Sequence, residues 1–304
     1  MFLLLGLVVI CLIVLWYFGD TSLSDEEPVE QREQLVINPE FSHPEAVARF
    51  YKAQLNRSEE QTLQIADIEE HSDNLATLNV HSFHPINLEH DKKEVMEAPL
   101  KMMRRFNISV LILQEVPVAS LAVFTDLVER SGLHHTINEF DYDFATSKEP
   151  ITNMVISRYP IVIERKLLLP AENYIFRHRH AIFFRIPAHP IWPKKLFCAT
   201  QLESAEMTRD DAVRIRKSQL RAIMDQNPDF IIGDLNFAEQ TPEYKMIAKF
   251  FKTSKASNYI TTPWQTLDYI WYKKPDPDAK WHIETYSVNY IWSDHRPVIA
   301  VFSN

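Results

Sequence analysis

Glycine is nearly absent from this chain: 304 residues contain only Gly6, Gly19, Gly132 and Gly233. Loops that cradle phosphate with backbone N–H groups need several glycines within a few positions. None can be assembled here, so any phosphate chemistry must rest on side chains or a metal. Cysteine is as scarce. Cys11 and Cys198 allow neither a disulfide framework nor a thiolate zinc site. An excess of basic charge is missing too. Of the net charge of −9, residues 1–40 carry −6, with seven acids against Arg32, which leaves −3 for the remainder. A near-neutral domain behind an acidic stretch is not a general nucleic-acid binder, and any anion site must be local.

The first 18 residues, "MFLLLGLVVICLIVLWYF", are uncharged and apolar. A membrane-spanning helix needs about 20 such residues and no fewer than about 17. Trp16, Tyr17 and Phe18 suit the aromatic belt of an interface. A cleaved signal peptide is the other reading, but it calls for a basic start and a small-residue cleavage site. The sequence therefore predicts an N-terminal transmembrane helix over 1–18, an acidic linker over 19–40, and one folded domain over 41–304. Orientation is left open, because no Lys or Arg precedes Arg32.

Within the domain, Ser42 caps a helix expected to about residue 56. Helices are also expected over 91–106, 118–131 and 209–226, with one opening at Thr241-Pro242-Glu243. "LATLNV", "SVLILQ", "TNMVIS", "IVIERKLLL", "AIFFRI", "KLFCAT", "DFIIGDLN", "TLDYIWY", a run near 281–288 and "PVIAVF" read as strands. Helices and strands alternate without repeats, which implies an α/β domain whose sheets are covered by helices.

Several apolar runs end in polar chemistry. "LATLNVHSF" delivers Asn79 and His81, "LILQE" delivers Glu115, and "FCATQLES" delivers Gln201 and Glu203. "FIIGDLN" delivers Asp234 and Asn236, "TLDYIWY" carries Asp268, and "SDHRP" delivers Asp294 and His295. An acid after a strand is usually a turn or cap residue. An acid inside an aromatic strand, such as Asp268, needs a partner when buried, and His295 is the natural one. A thiol-free set of Asp, Glu, Asn and His suits Mg²⁺ or Mn²⁺.

In this order, "LNVHSF", "LILQEV", "SRYPI", "TQLES", "IIGDLN", "LDYIWY" and "SDHRPV" resemble the endonuclease/exonuclease/phosphatase superfamily, the DNase I-like fold. "TQLES" followed by "GDLN" is similar to its tyrosyl-DNA phosphodiesterase branch, which reads "HLES". The resemblance covers about residues 75–304. It implies a four-layer α/β/β/α sandwich and hydrolysis of phosphoesters with Mg²⁺ or Mn²⁺. By resemblance, Glu115 and Asp294 serve the metal, with Asn79 nearby. Asp234 and Asn236 position and deprotonate the attacking water. His295, oriented by Asp268, contacts the scissile phosphate or acts as base. Asn79, Asn153, Arg179 and Gln201 contact the phosphate.

Two positions depart from the pattern. Gln201 stands where most relatives have His; an amide donates a hydrogen bond but transfers no proton. His81 stands where close relatives often have an acid. The expected partners are a phosphodiester, with nucleic acid or a nucleic-acid adduct foremost, and a membrane through residues 1–18. No obligate protein partner is inferred. A membrane-associated lipid or inositol phosphate hydrolase and a non-catalytic member of the fold are the alternatives.

Overall fold

"ISVLILQEVP" forms β2 (Ile108–Pro117), and the run has no polar face because both of its faces are covered. Leu111 and Leu113 pack against helices, while Val110 and Ile112 pack against a second sheet; all four are fully buried. Burying each contributes about 1.5–3 kcal/mol. The computed structural model describes residues 73–80, 83, 92–139, 150–171, 178–204, 209–253, 261–262, 265–274, 282–287 and 293–303. The expected anchor, the linker, the helix from Ser42 and His81 lie outside the described residues. Among the described residues, no helix is long and apolar enough to cross a membrane.

The strands form two six-stranded sheets. The first runs β11 (His282–Ser287), β12 (Val298–Ser303), β1 (Asn74–Asn79), β2, β4 (Ile151–Ser157) and β3 (His134–Ile137). The second runs β5 (Val162–Leu168), β6 (His180–Arg185), β7 (Phe197–Gln201), β8 (Phe230–Asp234), β10 (Asp268–Lys273) and β9 (Phe251–Lys252). Helices α1 (Lys92–Arg105) and α2 (Leu121–Arg130) contribute Val95, Leu100, Phe124 and Val128 to the core outside the first sheet. Helices α3 (Arg209–Met224) and α4 (Pro242–Ile247) contribute Leu220, Ile223 and Ile247 to the core outside the second. A third apolar layer, with Phe184, Trp192, Phe197 and Phe230, lies between the sheets. The architecture is the expected helix–sheet–sheet–helix sandwich.

Strand direction decides where the polar ends go. β1 and β2 are parallel, as are β7 and β8. β12, β4 and β10 run antiparallel to these neighbours. The C-terminal ends of β1, β2, β7 and β8 therefore share one rim with the starts of β4, β10 and β12. One glycine is required for this arrangement. Gly233 in β8 has φ +146°, and a Cβ there would lie 1.8 Å from the Thr200 carbonyl oxygen.

The elements differ from expectation where runs are short. The helix expected from 118 opens as a 3₁₀ turn over Val118–Ser120. β9 has only two residues and carries no periodicity of its own. "IVIERKLLL" forms the expected strand as β5, at the outer edge of its sheet with Val162, Ile163 and Leu168 exposed.

Candidate active site

The rim is built from backbone irregularities at strand ends. β2 shifts register between Leu113 and Val116, so that Gln114 and Glu115 bulge opposite Asn153. Glu115 adopts φ +58° and Asn236 φ +51°. A left-handed glutamate costs on the order of 1 kcal/mol or more. The bulge re-aims a carboxylate that would otherwise continue the strand's alternation.

Two amides join the two sheets through this carboxylate. Asn79 Nδ2 donates to Glu115 Oε1 at 3.0 Å and to Asp234 Oδ2 at 3.1 Å. Gln201 Nε2 donates to the same two oxygens at 2.8 and 3.1 Å. Arg179, fully buried, donates through Nη1 to Gln201 Oε1 at 2.6 Å. Burial pushes the Glu115 pKa up. The hydrogen bonds from Asn79 and Gln201, with the charges of Arg179 and His295, outweigh it and hold the carboxyl below its ordinary value. Asp234 is pushed the other way, to about 6, by burial and then by the charge of Asp268, with His295 opposing.

Asp268 lies opposite Asp234 in the β8–β10 ladder. Its Oδ2 meets His295 Nδ1 at 2.8 Å. A carboxylate at Nδ1 fixes the tautomer, with the proton on Nδ1 and Nε2 turned away from the acid. Burial pushes the His295 pKa down, but the charge and hydrogen bond of Asp268, then Asp234 and Asp294, raise it well above the ordinary histidine value. These acids favour the imidazolium, which carries a proton on each ring nitrogen. One ligand atom each from Asp234, Asp268 and His295 lies within 4.8 Å of the others.

The remaining predicted residues occupy the same rim in different ways. Asn236 donates its amide to the Leu202 carbonyl at 3.0 Å, while its N–H donates to Asp234 Oδ1 at 3.1 Å. It braces Asp234 through the backbone and holds the "TQLES" turn with its side chain. Asn153 is buried beside the Glu115 bulge, and neither polar atom of its amide has a hydrogen-bond partner among the described residues. Asp294 sits half-buried next to His295, with Oδ1 3.5 Å from Ser293 Oγ. Arg296 is buried, and its N–H donates to the Thr261 carbonyl at 2.7 Å.

Two supporting residues escaped the sequence reading. Ser293 Oγ donates to the Asn79 carbonyl at 2.7 Å and accepts from the His295 N–H at 3.0 Å. It thereby ties the histidine loop to the end of β1. Thr261 Oγ1 accepts from the N–H groups of Leu267 and Asp268 at 2.9 and 3.2 Å. Ser293 had a signal, since Ser before Asp-His favours a side-chain-to-backbone turn. Thr261 had none.

The comparisons agree with this fold. The model of the Endonuclease/Exonuclease/phosphatase family matches residues 76–295. Among curated proteins, none matches the sequence. Solved structures are similar in fold. The human Nocturnin catalytic domain with bound sulfate has TM-score 0.58 at 18% identity, over 78% of this chain and 95% of that one. A truncated Caenorhabditis elegans TDP2 has TM-score 0.51 at 16% identity, over 78% and 100%. A Bacteroides thetaiotaomicron mannosyl-6-phosphatase has TM-score 0.52 at 12% identity, over 77% and 100%. Members of the family are in general phosphoester hydrolases that depend on a divalent metal, and the family match spans most of this chain, both sheets and the rim from Asn79 to His295: the chain belongs to the endonuclease/exonuclease/phosphatase family.

Proposed function

We propose that the chain is a phosphodiesterase dependent on Mg²⁺ or Mn²⁺ that cleaves nucleic acid or a nucleic-acid adduct. The observation that carries this reading is the buried Asp268–His295 pair beside Asp234, one ladder position from the Glu115 cluster. It sets a charged donor and a base-strength carboxylate next to an anionic oxygen site. The donor set fits a hard divalent ion. Glu115 and Asp234 present carboxylate oxygens to each other across two neutral amides, and Cys198 is in the core. Since His295 Nδ1 and Asp268 Oδ2 are engaged with each other, Glu115 is assigned to the ion, with Asp294 from the adjoining loop. The ion, when bound, supplies Lewis-acid polarisation of the phosphoryl oxygen.

The chain's own groups do the rest. Asp234, with a raised pKa, accepts the proton of the attacking water more readily than an ordinary carboxylate. Asn236 fixes Asp234 through its backbone N–H. His295, as the imidazolium that its acidic neighbours favour, donates from Nε2 to a non-bridging oxygen as negative charge develops. Of the two roles open to it, the raised pKa favours the phosphate contact over the base. Arg179 adds positive potential behind Gln201. Gln201 transfers no proton, so the leaving group departs without a donor at this position.

A second reading, a lipid or inositol phosphate hydrolase, is favoured by the apolar run over 1–18, which is proposed as an uncleaved membrane anchor. The test uses the full-length chain in detergent with an oligonucleotide, its tyrosyl ester, a phosphomonoester, an inositol phosphate and sphingomyelin. The expected result is turnover of the nucleic-acid phosphodiesters with Mg²⁺, loss in chelator, and a loss on the order of 10²-fold or more in Glu115→Gln. Full activity in excess chelator removes the metal from the mechanism. Turnover confined to sphingomyelin or the inositol phosphate replaces the first reading by the second.

A further inference from the structure

The sandwich has two unlike ends. At the end opposite the catalytic rim, β8 begins at Phe230 and β10 finishes at Lys273. Asp268 in the active site and Lys273 are five residues apart on one strand, about 17 Å. Here Phe250 protrudes from the turn after α4 and is 59% exposed. Lysines surround it. Lys274 donates its N–H to the Phe250 carbonyl at 3.0 Å, and its ammonium lies 3.0 Å from the Lys249 carbonyl. Lys252 is paired with Tyr272 across the β9–β10 ladder, next to Lys273. Lys249, Lys252, Lys273 and Lys274 are all exposed.

The basic character continues beyond this cluster. Lys194 precedes β7 at the same end, and Arg104 and Arg105 close α1 just before β2 begins. The nearest described acids are partly occupied. Asp229 is engaged by Lys195 at 3.0 Å and by the Leu196 N–H at 2.8 Å, while Asp225 stays exposed. Among the described residues, exposed cations thus collect around one exposed aromatic ring at this end.

We propose that this end is a docking face for an anionic lipid surface, with Phe250 entering the headgroup layer and the lysines meeting its negative charge. The inference rests on the membrane-linked reading of residues 1–18. A tether would hold the domain near a bilayer, where weak surface attraction acts at high effective concentration. A basic face with a projecting ring suits a headgroup layer, which offers negative charge above an apolar interior. Nucleic acid is the less suited occupant, since a strand bound here lies at the wrong end of the strands to reach Asp234 and His295. Docking at this end turns the catalytic rim toward water. The substrate is then taken from the aqueous phase rather than from the leaflet that holds the protein.

The experiment follows backbone hydrogen exchange of the full-length chain in bilayer nanodiscs of phosphatidylcholine, with and without phosphatidylserine. Phosphatidylserine is expected to slow exchange several-fold at Phe250–Lys252 and Lys273–Lys274 in low salt. High salt, Phe250→Ser, or Lys249→Glu with Lys252→Glu should abolish the slowing. Exchange at Asn153 and at residues 293–296 should stay the same in both discs. Equal exchange at Phe250–Lys252 in both discs overturns the proposal. Slowing at the catalytic rim instead overturns it and turns the active site toward lipid. Slowing produced by a soluble poly-glutamate but not by phosphatidylserine assigns the face to an acidic protein and also overturns it. Loss of the protein from pure phosphatidylcholine discs contradicts the anchor alone, because the exchange readout needs no catalysis and no insertion.

Discussion

The side-chain amide of Gln201 is divided among three neighbours: its oxygen accepts from Arg179, and its nitrogen serves both Glu115 and Asp234. No donor is left to reach a leaving group, so its part is to hold a cation and two carboxylates apart. Gln201→Ala is expected to lower the rate on the order of 10²-fold and by the same factor on a nitrophenyl and an alkyl phosphodiester. A loss confined to the alkyl ester would assign Gln201 to leaving-group protonation. No loss on either would remove it from the site. Asp268 and His295 act as a unit, and their substitutions are expected to be far from additive. Asp268→Asn and His295→Ala should each cost nearly as much as the double mutant. A double mutant whose loss equals the product of the two singles would break the pair.

At the scale of elements, the connection between β6 and β7 carries a second buried histidine far from the rim. His189 Nδ1 accepts from the N–H groups of Ile191 and Trp192 at 3.1 and 3.4 Å. Nε2 lies 3.0 Å from Ser109 Oγ, which in turn lies 3.2 Å from the Asn74 carbonyl. Those partners fix the neutral tautomer with its proton on Nε2. The ring stacks on Trp192, with centroids 4.2 Å apart. Burial lowers its pKa to about 4 from the ordinary 6.5, against the charge of Asp73. Because the folded value is depressed, the unfolded chain binds the proton first as pH falls. The contribution is fully present above about pH 6.5 and is lost progressively toward pH 4, up to about 3 kcal/mol. Urea midpoints between pH 7.5 and 4.5 should fall more steeply for the wild type than for His189→Gln. Parallel curves would mean that the folded imidazole titrates normally.

The elements also show what was readable in advance. β2, β7, β8 and β12 announce themselves because strands buried on both faces are continuous apolar runs. The rim was readable because those runs stop at Asn79, Glu115, Gln201 and Asp234 with no intervening turn residues. Apart from Ser293, the supports of the rim were not. Thr261 acts on the N–H of Asp268, and Asn236 braces Asp234 with its own backbone; neither contact depends on a side-chain pattern that spacing reveals. The left-handed φ of Glu115 was equally hidden, since no glycine marks the bulge. β5 was readable as a strand, but its apolar residues do not say whether a second layer covers it.

For the molecule as a whole, the open question is whether residues 1–40 belong to the folding unit. The described residues of the three apolar layers lie between Leu75 and Phe302. Every residue of the candidate site falls between Asn79 and His295. Among the described residues, neither set draws on the apolar run or the acidic stretch that follows it. A chain of residues 41–304 is therefore expected to fold and to keep kcat/KM within about twofold of the full-length protein in detergent. It is also expected to stay in the aqueous phase when full-length protein partitions into detergent. The two readouts separate two claims. An insoluble or inactive fragment beside an active full-length protein would make the first 40 residues part of the domain. A soluble, active fragment with no change in partitioning would leave the domain boundary standing and remove the anchor.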